Sequence, residues 1–267
     1  DHSGLLPKLV AQGFKGPIYA TLATKDLLEV LLKDSAHIQM MDAERAARRR
    51  REGRGHEREP TAPLYSLAHV ASTLEQVQAV PYGHSFEPHP AVTVRFQDAG
   101  HILGSAIVEL WLADGHGGTR KLVASGDLGQ PGRVILRDPT PIMEADLLLI
   151  ESTYGDRQHK STGDTLEELV EVVTRTAPHG NVVIPAFAVG RTQELLYYLR
   201  ELLAEGALAG AHLDLPQAMR HLGKSLLQDA VRQLSGRQGA RDTRLSGAAG
   251  EQTGATRAWQ FGDAEPW

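Results

Sequence analysis

The chain alternates between short apolar runs of two different periods. Ile18-Tyr19-Ala20 follows the turn-forming pair Gly16-Pro17 and reads as a short strand. Leu27, Leu28, Leu31 and Leu32 then recur at helical spacing, with Thr24 as the expected N-cap. Residues 64–80 also carry a helical pattern. From residue 91 the period changes. Val92, Val94 and Phe96 alternate with polar residues, as a half-buried strand requires. Ala106–Leu112 and Lys121–Ala124 read as two further strands joined through Asp114-Gly115-His116-Gly117-Gly118. Leu147–Ile150 and Asn181–Ile184 are continuous apolar runs of the kind expected for buried strands. Between them, Asp164 and Glu167 have capping-box spacing at the start of a helix. Leu195, Leu196, Leu199, Leu202 and Leu203 mark a last helix. Strands in the middle with helices on both sides predict a layered α/β fold. Residues 1–210 form the expected core, and 211–267 a divergent, disordered tail, since 235–267 are rich in Gly, Ala, Arg, Gln and Thr with little periodicity.

Composition narrows the chemistry. The 267 residues include no cysteine, which excludes disulfides, thiolate metal sites and cysteine nucleophiles. Of the residues, 41% are hydrophobic and 23% charged, an ordinary balance for a soluble domain that fits a cytoplasmic setting. No apolar run is long enough to span a bilayer. The net charge of -5 provides no global attraction for a polyanion, so nucleic acid would have to be held locally or by metal ions. The one dense arginine tract, Arg45 to Arg58, is interleaved with Glu44, Glu52, Glu57 and Glu59, so its field is expected largely to cancel.

Three polar clusters stand out at the ends of apolar segments. They are Asp1-His2-Ser3-Gly4, Asp98-Ala99-Gly100-His101-Ile102-Leu103-Gly104-Ser105 and Ser125-Gly126-Asp127. Loops at strand ends are where layered folds place their chemistry. Imidazole and carboxylate are the ligands of a zinc site with an open position, and the small residues beside them allow close backbone approach. Each residue alone has an ordinary structural reading. Their shared composition and placement is what singles them out.

Read in order, Asp1-His2, Ala99-Gly100-His101-Ile102-Leu103-Gly104-Ser105-Ala106, Ser125-Gly126-Asp127-Leu128-Gly129, Glu151-Ser152-Thr153-Tyr154-Gly155-Asp156-Arg157 with His159, and Pro185 through Gly190-Arg191-Thr192-Gln193-Glu194 closely resemble the β-CASP branch of the metallo-β-lactamase superfamily. The likeness runs from residue 1 to about 210. It implies a metallo-β-lactamase-type αββα sandwich, present in part, with the β-CASP domain largely missing. It implies a two-metal hydrolase holding Zn2+, with Mn2+ as the alternative, that cleaves single-stranded RNA with a metal-bound hydroxide. By this resemblance Asp1 and His2 are ligands of the second metal, His101 of the first, and Asp127 bridges both. Asp1 and Glu151 take catalytic roles in moving protons. Arg157, His159 and Arg191 become substrate contacts. A homodimer is compatible with the family.

Two departures accompany the likeness. The family motif His-x-His-x-Asp-His is met only from its aspartate onward, which leaves His101 and Asp127 for the first metal. After His212-Leu213-Asp214-Leu215-Pro216 the family's next strand gives way to Gln217-Ala218-Met219-Arg220, as a reading-frame change would produce. The chain as written is therefore expected to be impaired. Two other readings stay open: a thioester or lactone hydrolase on the same fold, and a non-catalytic binding module. The Glu-Ser-Thr-Tyr-Gly motif favours the nuclease branch.

Overall fold

The computed structural model describes residues 2–54 and 62–208. Asp1, residues 55–61 and the 211–267 tail lie outside the described residues, as do the expectations made for them. All described residues fall in one unit, Asp1–Leu213.

The elements follow the order α1 (Leu6–Ala11), β1 (Ile18–Ala20), α2 (Leu22–Arg51), α3 (Leu67–Gln76), β2 (Val77–Ala79), β3 (Ser85–His89), β4 (Val92–Asp98), β5 (Ala106–Ala113), β6 (Thr119–Ala124), β7 (Leu147–Leu149), α4 (Thr162–Thr176) and α5 (Arg191–Ala204). Five strands form one sheet in the order β3-β4-β5-β6-β7, and β1 and β2 form a parallel pair. The described residues form a mixed α/β fold of sheets accompanied by helices, as expected. No helix among the described residues is long and apolar enough to cross a membrane.

The sheet's topology positions the chemistry. β4 pairs antiparallel with β5, and β5 with β6, while β7 runs parallel to β6. The C-terminal ends of β4, β6 and β7 therefore lie along one edge. The loops that leave them begin at Ala99, Ser125 and Ile150 and emerge side by side.

The first core packs α2 and α3 over the β1/β2 pair. Leu28, Leu32 and Ala36 of α2 meet Tyr65, Val70, Val77 and Ala20. A second cluster, Ala99, Ile107 and Val123, lies beneath the ligand loops. Tilted aromatic contacts link the two sheets: Tyr19 and Phe86 have centroids 4.6 Å apart, and Phe86 and Phe96 5.4 Å. A third cluster joins Val173 of α4 to Leu199 of α5.

Several local expectations shift. Helix α2 is capped by Thr21, whose side chain accepts the Thr24 amide, so Thr24 is inside the helix. Likewise Ser161, rather than Asp164, caps α4. The helix expected over 64–80 stops at Gln76, because Val77–Ala79 pair in parallel with β1. Leu147–Leu149 do form a strand, but on the sheet's edge, with each leucine more than half exposed. Asn181–Ile184 form no strand, and Val183 is 87% exposed. A continuous apolar run reports an affinity for cover; in these two runs Val182 finds it against the Val173–Leu199 cluster, while the leucines of β7 and Val183 stay exposed.

Candidate metal centre

The His101 loop is pinned from three sides. The hydroxyls of Thr21 and Thr24, at the start of α2, both donate to the Gly104 carbonyl, at 2.8 and 2.9 Å. Ser105 Oγ accepts the amides of His101 and Ile102, at 3.1 and 3.2 Å. Tyr82 donates its phenol to the Ser105 carbonyl at 2.7 Å. Burial, together with the charge of Asp98, raises the Tyr82 pKa, so it stays a neutral donor. Ser105 belongs to the polar cluster itself, whereas the sequence does not signal Thr21, Thr24 and Tyr82 as anchors, because they act across long sequence separations.

The glycines of the two ligand loops allow close backbone approach, to each other and to neighbouring elements. A Cβ on Gly129 would stand 1.7 Å from the Gly100 carbonyl oxygen. The Gly129 amide donates to the Ala99 carbonyl at 2.8 Å, locking the Asp127 loop to the His101 loop. Gly104 has a positive φ of 89°, and a Cβ there would meet the Thr24 amide nitrogen at 2.6 Å.

This packing brings three of the expected site residues together. His2 Nε2 lies 3.6 Å from Asp127 Oδ2, and His101 Nε2 lies 3.7 Å from the same oxygen. Both separations exceed a hydrogen bond. They approach the roughly 3.4 Å between two ligands held ~2.1 Å from a shared ion at the tetrahedral angle. The donor chemistry thus fits zinc-type ions as two histidine–aspartate pairs sharing one carboxylate oxygen. Among the described residues, no three His, Asp or Glu side chains gather into a metal-holding group. Asp1 lies outside the described residues.

Glu151 joins the same end of the sheet. Its Oε1 accepts the Leu128 amide at 2.6 Å, and its own amide donates to Ser125 Oγ at 3.1 Å. The Leu128 amide, then the Thr153 hydroxyl and the nearby His101, hold its carboxyl below the usual range. Glu151 is therefore an ionised acceptor at neutral pH.

The expected substrate contacts fall in two places. Arg157 and His159 surround Tyr154, with the guanidinium 5.7 Å from the Tyr154 ring centre and the imidazole centroid 4.7 Å away in an edge-on arrangement. Arg191 bonds to Glu194, which also holds Arg133. The turn before Arg191 rests on the His101 loop, since a Cβ on Gly190 would meet Ile102 Cγ2 at 2.7 Å. Other histidines bond to nearby backbone: His69 accepts the Ser66 amide at the start of α3, His89 accepts the Ala91 amide, and His84 Nδ1 lies 3.2 Å from the Tyr82 carbonyl.

Known proteins resemble the chain over most of its length. It is 38% identical over 236 residues to Ribonuclease TTHA0252 of Thermus thermophilus, covering 88% of this chain and 48% of that protein. It is 31% identical over 212 residues to transcription termination factor FttA of Methanothermobacter thermautotrophicus, and 32% over 220 residues to FttA of Pyrococcus abyssi. These matches cover 30% and 31% of the two archaeal proteins. The chain thus spans about half the length of the Thermus relative and about a third of the others. The Thermus match leaves fewer residues uncovered than the 211–267 segment contains, so part of that segment aligns as well. No family model matches the chain.

Proposed function

Because the chain belongs to the β-CASP branch of the metallo-β-lactamase superfamily, we propose that it forms the core of a metal-dependent RNA phosphodiesterase. One observation carries this reading: two imidazoles converge on a single oxygen of Asp127 at the edge where Glu151 is also fixed. Asp1, His2, His101 and Asp127 would hold divalent ions, zinc or manganese. Such ions supply water activation and charge neutralisation for phosphoryl chemistry.

The chain's own residues do the positioning. The Gly100–Gly129 contact sets the spacing of the ligand loops. Glu151, ionised and tethered to Leu128, offers an acceptor for a proton or a donor group beside them. RNA is the favoured substrate class because the relatives carry names in RNA cleavage and transcription termination. A thioester or lactone hydrolase would share the ions but has no such support.

A metal titration tests the reading. The purified chain should take up zinc or manganese, and Asp127→Ala should lose that uptake. A parent chain that binds neither ion, or an Asp127→Ala variant that binds them equally well, would overturn it.

A further inference from the structure

Tyr154 has no role in the reading so far, yet it is the exposed aromatic nearest in sequence to Glu151. Its side chain is 56% exposed. The ring is nevertheless held. The Gly155 amide donates to the Ser152 carbonyl, and the Arg157 amide to the Tyr154 carbonyl, so a tight turn fixes the backbone on both sides. Arg157 stands over the ring at 5.7 Å from its centre, tethered by Asp156 at 3.2 Å. His159 meets the ring edge-on, at an interplanar angle of 72°. A guanidinium over a ring and an imidazole at its edge leave aromatic surface open to a flat partner.

Tyr154 lies three positions after Glu151, a reach of at most ~10 Å along an extended chain. An RNA strand whose phosphate sits at the Asp127 edge would thus bring a neighbouring nucleotide to this ring. An unpaired nucleobase stacks on an exposed aromatic, and a flanking guanidinium adds attraction to the base or to its phosphate. Paired bases are already stacked within their helix and would gain nothing.

We propose that Tyr154, supported by Arg157 and His159, is a stacking subsite for one unpaired nucleobase beside the metal centre. This rests on the RNA reading above and specifies that the substrate is recognised as a single strand through a base, in addition to its phosphates.

Fluorescence anisotropy is read in excess zinc, with a gel confirming that each probe stays intact, so that binding is separated from cleavage. The probes are a short adenine-rich single-stranded RNA and a strand of equal length in which abasic sites replace the bases. The parent chain should prefer the base-bearing strand by roughly ten-fold, the usual scale of one aromatic–base stack. Tyr154→Ala should bring the two affinities to within about two-fold, and Tyr154→Phe should keep the parent's preference, because phenylalanine retains the ring. Equal binding of both strands by the parent would leave the RNA reading standing and overturn the stacking subsite. A Tyr154→Ala variant that keeps the full preference would also overturn it. Failure of the parent to bind either strand would overturn both.

Discussion

Glu109 lies almost wholly buried beneath Arg95, which donates to it from Nε at 2.7 Å and from a terminal nitrogen at 3.1 Å. Lys121 reaches the same carboxylate at 2.9 Å, and Gln97 donates at 3.0 Å. Trp111 packs against both cations, with Arg95 at 4.9 Å and Lys121 at 5.2 Å from its ring centre. These groups sit on β4, β5 and β6, so one carboxylate ties the three central strands together.

Burial is the largest influence on Glu109 and pushes its pKa up, but the hydrogen bonds from Arg95, Lys121 and Gln97 outweigh it and bring the pKa down to about 2. A depressed folded-state pKa stabilises the fold above the unfolded value and loses that contribution as pH falls through the folded value. Stability should therefore decline as pH drops from ordinary carboxylate pKa values toward about 2. Glu109→Ala should cost about 3 kcal/mol at neutral pH, because it leaves two cations facing each other. Urea unfolding of parent and variant across that pH range checks both. A variant as stable as the parent would show that the pair of cations finds other partners.

Gly129→Ala should damage the metal centre without touching a ligand. Its added methyl would fall 1.7 Å from the Gly100 oxygen, and backbone cannot rotate aside as a side chain does. The two ligand loops must part, at a stability cost of about 3 kcal/mol. Metal affinity should fall together with melting temperature. Unchanged affinity in a destabilised variant would show that the spacing of the loops does not govern the site.

The sequence disclosed the parts of the fold that one strand or helix reveals on its own. The alternation of Val92, Val94 and Phe96 predicted β4, and the structure agrees. Strand β3 was missed because Ser85-Phe86-Glu87-Pro88-His89 has one inward apolar residue and a proline, as an edge strand tolerates. Val77–Ala79 were read as helix because their apolar spacing continues that of α3, and only the long-range pairing with β1 decides otherwise. Both helix caps lie three residues before the positions that the sequence predicts, since Thr21 and Ser161 offer a side-chain oxygen as Thr24 and Asp164 do. In the candidate site, His101 and Asp127 stand out because each sits in a run of small residues at a strand end, and Glu151 is marked by the family resemblance and by its place after the apolar Leu147–Ile150 run. Thr21, Thr24, Tyr82 and Leu128 could not, because their partners are distant in sequence.

The arginines that end α2 should contribute little to RNA binding. Arg48, Arg49, Arg50 and Arg51 occupy the last turn of the helix, where positive charge is favoured by the helix dipole. Glu44 and Glu52 stand beside them in the same segment. Replacing all four with alanine, the best helix former, should keep α2 folded and change RNA affinity by less than about two-fold at physiological salt. A large loss with a flatter salt dependence would show that they contact phosphates.

The chain as written should cleave single-stranded RNA little faster than buffer. Zinc sites in proteins normally use at least three protein ligands, and among the described residues no such group is assembled. His2 and His101 each share Asp127 with the other, so each ion would begin with two of its ligands in place. Proton supply is a second obstacle. Glu151 is held ionised by the Leu128 amide, so at neutral pH it accepts protons and has none to give a leaving group. Without a proton donor held beside Glu151 among the described residues, the cost is about a hundredfold or more. The exposed leucines of β7 and the exposed Val183 and Phe187 also show apolar surface that the described residues leave without cover. The check is incubation of purified protein with labelled single-stranded RNA in excess zinc or manganese. Robust cleavage that both chelator and Asp127→Ala abolish would overturn the prediction, and would mean that two shared ligand pairs suffice for the chemistry.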